Sequence, residues 1–165
     1  MEIKYASYTE YIPIALFEKN CADAYIWGPE LWKIYHGLCQ LPENIKYLNS
    51  TLIIEFINIS LELLLCAYCQ KKLIEYINND KIPNTIDLVE IWLWDLHNNI
   101  NDINNKSIIL FTDENKIRYQ NISLKKSLNT YLHQLYLALD LKWIDYNIWH
   151  SFRNIIIPQI EAFII

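Results

Sequence analysis

Glycine is nearly absent: Gly28 and Gly37 are the only two in 165 residues. That scarcity excludes a Gly-rich phosphate loop and argues against an all-β chain, which needs tight turns at short intervals. Positive charge is also scarce, with 14 Lys and Arg against 19 Asp and Glu and a formal charge of −5. No basic cluster occurs, so no nucleic-acid partner is expected. The longest apolar runs, LIIEFINISLELLLC and WIDYNIWHSFRNIIIPQI, are broken by Glu, Asn, Arg or His, and neither reads as a membrane span. The first twenty residues, MEIKYASYTEYIPIALFEKN, hold neither a basic n-region nor an unbroken apolar stretch, so no signal peptide is expected. Cysteine stops at position 69: Cys21, Cys39, Cys66 and Cys69 are all there are. Without a secretory signal, a disulfide framework is not the expected use of them.

What is present is apolar and helical. Hydrophobic residues make up 53% of the chain and charged ones only 20%, enough to bury a core in one domain with an appendage. The frequent Ile, Asn, Lys and Tyr suggest an AT-rich coding sequence. Pro29 suits the first turn of a helix that carries Leu31, Ile34, Tyr35 and Leu38 on one flank. Pro42 ends that helix or starts a turn. Apolar residues at three- and four-residue steps (Leu52, Phe56, Ile59, Leu63) predict a second helix over 45–65. A third is predicted over 67–77, and a fourth runs through DLVEIWLWDLHNNINDIN with Thr85 or Asp87 as its cap. IILFTDENKIRYQN alternates around a polar DEN and reads as a small hairpin or a loop. Residues 124–139 and 146–163 again look helical. The expected fold is all-α: a bundle with a four-helix core in a domain over residues 1–106, then a mainly helical C-terminal extension over 107–165. The extension bears two apolar stripes, Leu128, Leu132, Leu135, Leu139 and Trp149, Phe152, Ile156, Ile160. A stripe left uncovered would mark an interface, and a homodimer is expected from it.

Three segments carry chemistry. In CAYC, Cys66 and Cys69 open a helix at a spacing that lets two sulfurs reach disulfide geometry, and the helix dipole favours a thiolate there. The pair alone fits a redox dithiol, a metal site or incidental core cysteines. A zinc site would need four ligands, for example Cys66, Cys69, His36 and Cys39. No second CxxC or HxxxH completes that pattern, so no metal is expected. A thioredoxin-like reading lacks its β-strand, because LELLL belongs to a helical pattern. In IWLWDLHNNINDINNK, His97 and Asn101 share a helix face with Trp94 and Asn98 beside them. A histidine and two asparagines offer donors and acceptors without charge, as a large polar heterocycle requires, and Lys106 just beyond could meet a phosphate. A solvated Asn-rich helix end is the plainer alternative. In WGPELWKIYH, Gly28, Trp32 and His36 fall four apart on one stripe, which alone also describes an aromatic core.

Taken in order, these segments resemble the Erv/ALR family of FAD-linked sulfhydryl oxidases. The family's Gly-x-x-x-Trp-x-x-x-His helix is matched by Gly28, Trp32 and His36, and its following proline by Pro42. Its CxxC is matched by Cys66 and Cys69. Its Trp-x-x-x-x-His-Asn-x-Val-Asn, with a lysine shortly after, is matched by Trp92, His97, Asn98, Ile100 in the valine place, Asn101 and Lys106. The resemblance spans residues 27–106 and implies a helical bundle around FAD. It implies that Cys66 accepts electrons from a protein dithiol or a thioredoxin-like relay protein, and that Cys69 faces the flavin. Electrons would then pass to O2, giving hydrogen peroxide. Gly28, Trp32 and His36 would line the cofactor, His97, Asn98 and Asn101 would bind its polar edges, and Lys106 its phosphates.

The chain departs from the family in two respects. Many members carry a cysteine two residues after the tryptophan of the last motif, bonded to a later cysteine; here Trp94 stands there and no later cysteine exists. The shuttle CxxC near a terminus is missing. Cys21 and Cys39 are candidates for a second bridge or relay, although Cys39, one turn beyond His36, reads better as a small buried residue. Compact, shuttle-poor versions recur among viral members, which implies the host cytoplasm or virion as location. Otherwise a compartment like the mitochondrial intermembrane space is implied.

Overall fold

The computed structural model describes residues 24–65, 67–141 and 144–164, with side chains from Trp27 onward except those of 66–70. The described residues are helical, without a strand, so the all-α expectation holds. Helix α1 (Ala24–Cys39) begins five residues before Pro29 rather than at it. A proline inside a helix forfeits one backbone hydrogen bond, but the extra turn buries Trp27 in the core. Short α2 (Glu43–Leu48) and α3 (Ser50–Glu62) replace the single helix expected over 45–65. The break falls at Asn49, whose side-chain amide donates to the Ile45 carbonyl at 2.8 Å, a local competitor to helix continuation. Leu63, Leu64 and Leu65 follow α3 as a buried non-helical link into α4 (Ala67–Asn79).

Helix α5 (Ile86–Ile103) has Thr85 at its N-cap in an extended conformation but without a side-chain cap bond. Asp87 sits inside the first turn, where the helix dipole favours a carboxylate, and accepts from the Tyr47 hydroxyl at 3.0 Å. The far end is closed by backbone chemistry. Asn105 takes the left-handed conformation with φ 54°, its N–H meets the Asp102 carbonyl at 3.0 Å, and the Lys106 N–H meets the Asn101 carbonyl at 2.7 Å. This is a Schellman closure with Asn in the position usually held by Gly. It fixes where Lys106 leaves the helix.

The segment expected as a hairpin or loop contains a helix, α6 (Asp113–Gln120). The polar DEN is its first turn, not a hairpin tip: the Thr112 hydroxyl accepts from the Asn115 N–H at 3.3 Å, and Asp113 and Glu114 lie at the positive end of the dipole. Helix α7 (Leu124–Asp140) is capped by Ser123. Asp145 caps α8 (Tyr146–Ser151) with two bonds, from Asn147 N–H at 2.8 Å and Ile148 N–H at 3.0 Å. A π turn, Phe152–Ile156, then leads into α9 (Ile157–Glu161). The wide turn falls just before Pro158, whose missing N–H frees a carbonyl of the preceding turn.

Helix α1 lies at the centre, against α5, α6 and α7, while α3 packs on α4, α5, the π turn and α9. A single hydrophobic cluster runs from Trp27 to Ile164. Residues beyond 106 therefore share one core with the bundle. Leu128 and Leu135 of the first stripe are buried, as are Phe152, Ile156 and Ile160 of the second, and Leu132, Leu139 and Trp149 pack against the same cluster. Both stripes are covered by the chain's own core. Within it the Tyr35 hydroxyl meets the Ser60 hydroxyl at 2.7 Å, and Phe56 meets Phe152 at 5.3 Å between ring centroids. Gly37 has a definite use: a Cβ there would lie 2.6 Å from a Leu124 methyl, so its absence lets the start of α7 close onto α1.

Candidate functional site

The site forms where α1 crosses α5. A side chain at 32 and one at 36 share a face of α1, and the ring at 97 projects from α5 against both. Trp32 stacks flat on His97, with centroids 3.9 Å apart and planes within 5°. His36 Nε2 lies 3.1 Å from His97 Nδ1, a hydrogen bond between residues 61 apart in sequence. Trp94 and Tyr119 enclose His36 further, with centroids at 4.7 and 4.6 Å. The aromatic segment of α1 and the histidine segment of α5 are thus one constellation.

Several features fit a large planar ligand with polar edges. His36 Nδ1 and Trp94 Nε1 are buried without a hydrogen-bond partner, although such groups are ordinarily satisfied. A Cβ placed on Gly28 would meet nothing within 4 Å, which leaves the first turn of that stripe open to a ligand. Trp32 is only half-buried, with one face on His97, so part of the indole remains accessible. Asn101 is buried in the same helix. Lys106 leaves the end of that helix at the Schellman closure, and after burial its charge is the second cause that lowers the basicity of His97. These donors, apolar faces and the cation suit FAD. Asn98 is used differently: its Nδ2 donates to the Ile109 carbonyl at 2.8 Å, and its Oδ1 accepts the Ile109 N–H at 2.9 Å.

Both histidines are neutral. Burial, with His97 beside it, pushes His36 down to about 3; burial and then Lys106 push His97 down to about 4. Their bond therefore has one donor, and the tautomer of His36 dictates that of His97. The unfolded chain protonates the same imidazoles near the ordinary 6.5. Below that pH it binds more protons than the folded chain, so the histidines' contribution is complete above 6.5 and shrinks as pH falls toward 4 and 3. Urea midpoints are expected to drop between about pH 7.5 and about pH 5, and to drop less in a His36→Gln, His97→Gln protein. Equal slopes for the two proteins would contradict the neutral pair.

Cys21 and Cys66 lie outside the described residues, as does the side chain of Cys69, whose backbone belongs to the first turn of α4. Cys39 is free and buried, and burial raises its thiol far above the usual range. That is the inert small core residue expected one turn past His36, not a thiolate relay. No group of three metal-ligating side chains occurs among the described residues. Spacing gave no sign of Tyr119, Phe111, Glu90 or Gln40.

No curated protein and no solved structure gives a match to the chain. The model of the Erv1/Alr family matches residues 29–121, more than half of the sequence. The matched span runs from the first turns of α1 through the end of α6 and includes Trp32, His36, both cysteines of CAYC, His97 and Tyr119. Members of that family are generally thiol oxidases, and typically bind FAD. With the two motif helices joined at His36 and His97 and more than half of its length matched, this chain belongs to the Erv1/Alr family.

Proposed function

We propose that the protein is an FAD-dependent thiol oxidase that forms disulfides in substrate proteins through Cys66 and Cys69. The observation that supports it most directly is the meeting of Trp32, His36 and His97 across 61 residues of sequence, within the family-matched segment. A substrate thiolate attacks the Cys66 sulfur of the Cys66–Cys69 disulfide, and Cys69 leaves as a thiolate. The second substrate thiol then attacks the mixed disulfide, releasing Cys66 and completing the substrate's own disulfide. Two electrons now reside on the CxxC pair. When bound, FAD supplies the two-electron acceptor for this dithiol and returns the electrons to O2, giving hydrogen peroxide.

The chain's own residues would provide the surroundings for that chemistry. Trp32 offers a flat apolar face, and Gly28 a gap beside it. His36 Nδ1, Asn101 and the outer nitrogen of His97 present uncharged donors and acceptors. Lys106 meets the phosphates. Because both imidazoles stay neutral, the site orders a polar ring without placing a fixed charge on it.

Purified protein is expected to carry about one non-covalent FAD per chain, seen as absorbance near ~450 nm and released on denaturation. Folded protein that remains colourless after incubation with FAD would sink the proposal. A redox-inert helical interaction protein would give that result with no exchange activity, and a flavin-free exchange protein would give it with exchange intact. A homodimer belongs to the same proposal. In it the extension forms the contact or, with both of its stripes internal, buttresses the helices that do. Light scattering that returns a mass near 19.8 kDa rejects it.

A further inference from the structure

Tyr119 lies beyond the three motifs, on a helix with no buried residue of its own, yet its ring meets both His36 and Trp94. We propose that Tyr119 is a positioning residue of the site: together with Trp94 it fixes the plane of His36, and residues 107–121 act as a non-covalent strap that holds it there. The ligand involved rests on the flavin reading; the positioning itself does not.

The strap is attached to α5 at three levels. Asn98 holds Ile109 by both amide atoms, as a neighbouring strand would. Phe111 and Tyr119 each meet Trp94 in a T-shaped pair, at 5.7 and 6.0 Å. Lys116 lies 3.9 Å from the Glu90 carboxylate and 4.0 Å above the Phe111 ring, while Gln40 donates to the same carboxylate from the end of α1. Without such anchors, DENKIRYQ has little reason to sit against a bundle, since a polar helix buries too little to hold itself.

The strap's end also reaches α1: the Tyr119 carbonyl lies 3.6 Å from where a Cβ on Gly37 would be, an ordinary contact distance. The consequence for His36 is geometric. Its one ring bond, to His97, leaves the imidazole free to swing about that bond. Tilted rings on two sides, Trp94 at 46° and Tyr119 at 38°, remove the swing and keep Nδ1 aimed in one direction. Every attachment is a hydrogen bond, ion pair or ring contact, so thiol reductants or substrate dithiols have no bond in it to break.

The test compares wild type, Tyr119→Phe and Tyr119→Ala by FAD titration, by the imidazole signals of His36 and His97 in NMR spectra, and by protease cleavage within 107–121. Tyr119→Ala is expected to bind FAD about tenfold more weakly, the size of a lost aromatic contact, with shifted His36 signals and faster strap cleavage. Tyr119→Phe keeps the ring and should match wild type on all three. A merely structural role would lower the melting temperature of Tyr119→Ala while leaving FAD affinity and the imidazole signals of the folded protein unchanged, and that result overturns the proposal. Should Tyr119→Ala fail to fold, Phe111→Ala removes a half-exposed strap anchor instead. Weakened FAD binding there supports the strap, and unchanged binding with unchanged His36 signals overturns it. If wild type itself binds no FAD, the flavin reading falls, and the His36 signals alone decide the positioning role.

Discussion

Replacing Cys69 with serine is expected to cut dithiothreitol-dependent oxygen consumption by about a hundredfold or more, because a hydroxyl cannot carry the electron pair that a thiolate delivers. Bound flavin should remain. The substitution changes one atom in the first turn of α4, away from the Trp32, His36 and His97 cluster in sequence. Cys66→Ser should stop turnover equally, since no sulfur is left for the substrate to attack while Cys69 stays intact. Cys39→Ser is the informative companion. Its thiol is buried and its ionisation suppressed by burial, so turnover should stay near wild type while stability falls. Oxygen uptake and flavin absorbance measured on the three proteins separate the roles. If Cys39→Ser alone were inactive and both CxxC variants turned over, the assignment would be reversed.

Phe152→Ala should produce the largest loss of stability, about 3–5 kcal/mol for a fully buried phenylalanine. That is a large share of the roughly 5–15 kcal/mol that holds an ordinary domain together. Phe152 lies in the π turn with no exposed surface and packs on Phe56 of α3. A cavity there opens between the bundle and the C-terminal residues. Because one cluster spans both, urea unfolding should remain a single transition with a lower midpoint. Two separate transitions, or a loss below about 1 kcal/mol, would show that the last residues fold on their own.

Much of the architecture was legible because it rests on local rules. The three- and four-residue spacing of Leu31, Ile34, Tyr35 and Leu38, and the seven-residue step from Leu128 to Leu135, marked helix faces that are buried. Periodicity could not mark Asn49, where a side-chain amide ends one helix and the next begins, nor α6, whose polar sequence has no apolar period to detect. There the signal lay in the cap, Thr112 followed by Asp113 and Glu114, which alternation outside it disguised as a hairpin.

The sequence by itself determined the helical class and the family, because residue type and spacing carry those directly. It placed Trp32 with His36 and His97 with Asn101 on their own helices, since a four-residue step is one face of a helix. Only the tertiary structure decided that the two faces meet ring on ring, that both histidines are consequently neutral, and that Asn98 serves Ile109. It also decided that Trp94 packs under Phe111 and Tyr119 and that the C-terminal stripes are spent inside the chain. These depend on which helices cross and how closely. That is set by summed burial over residues far apart in sequence, and in one place by the missing side chain of Gly37.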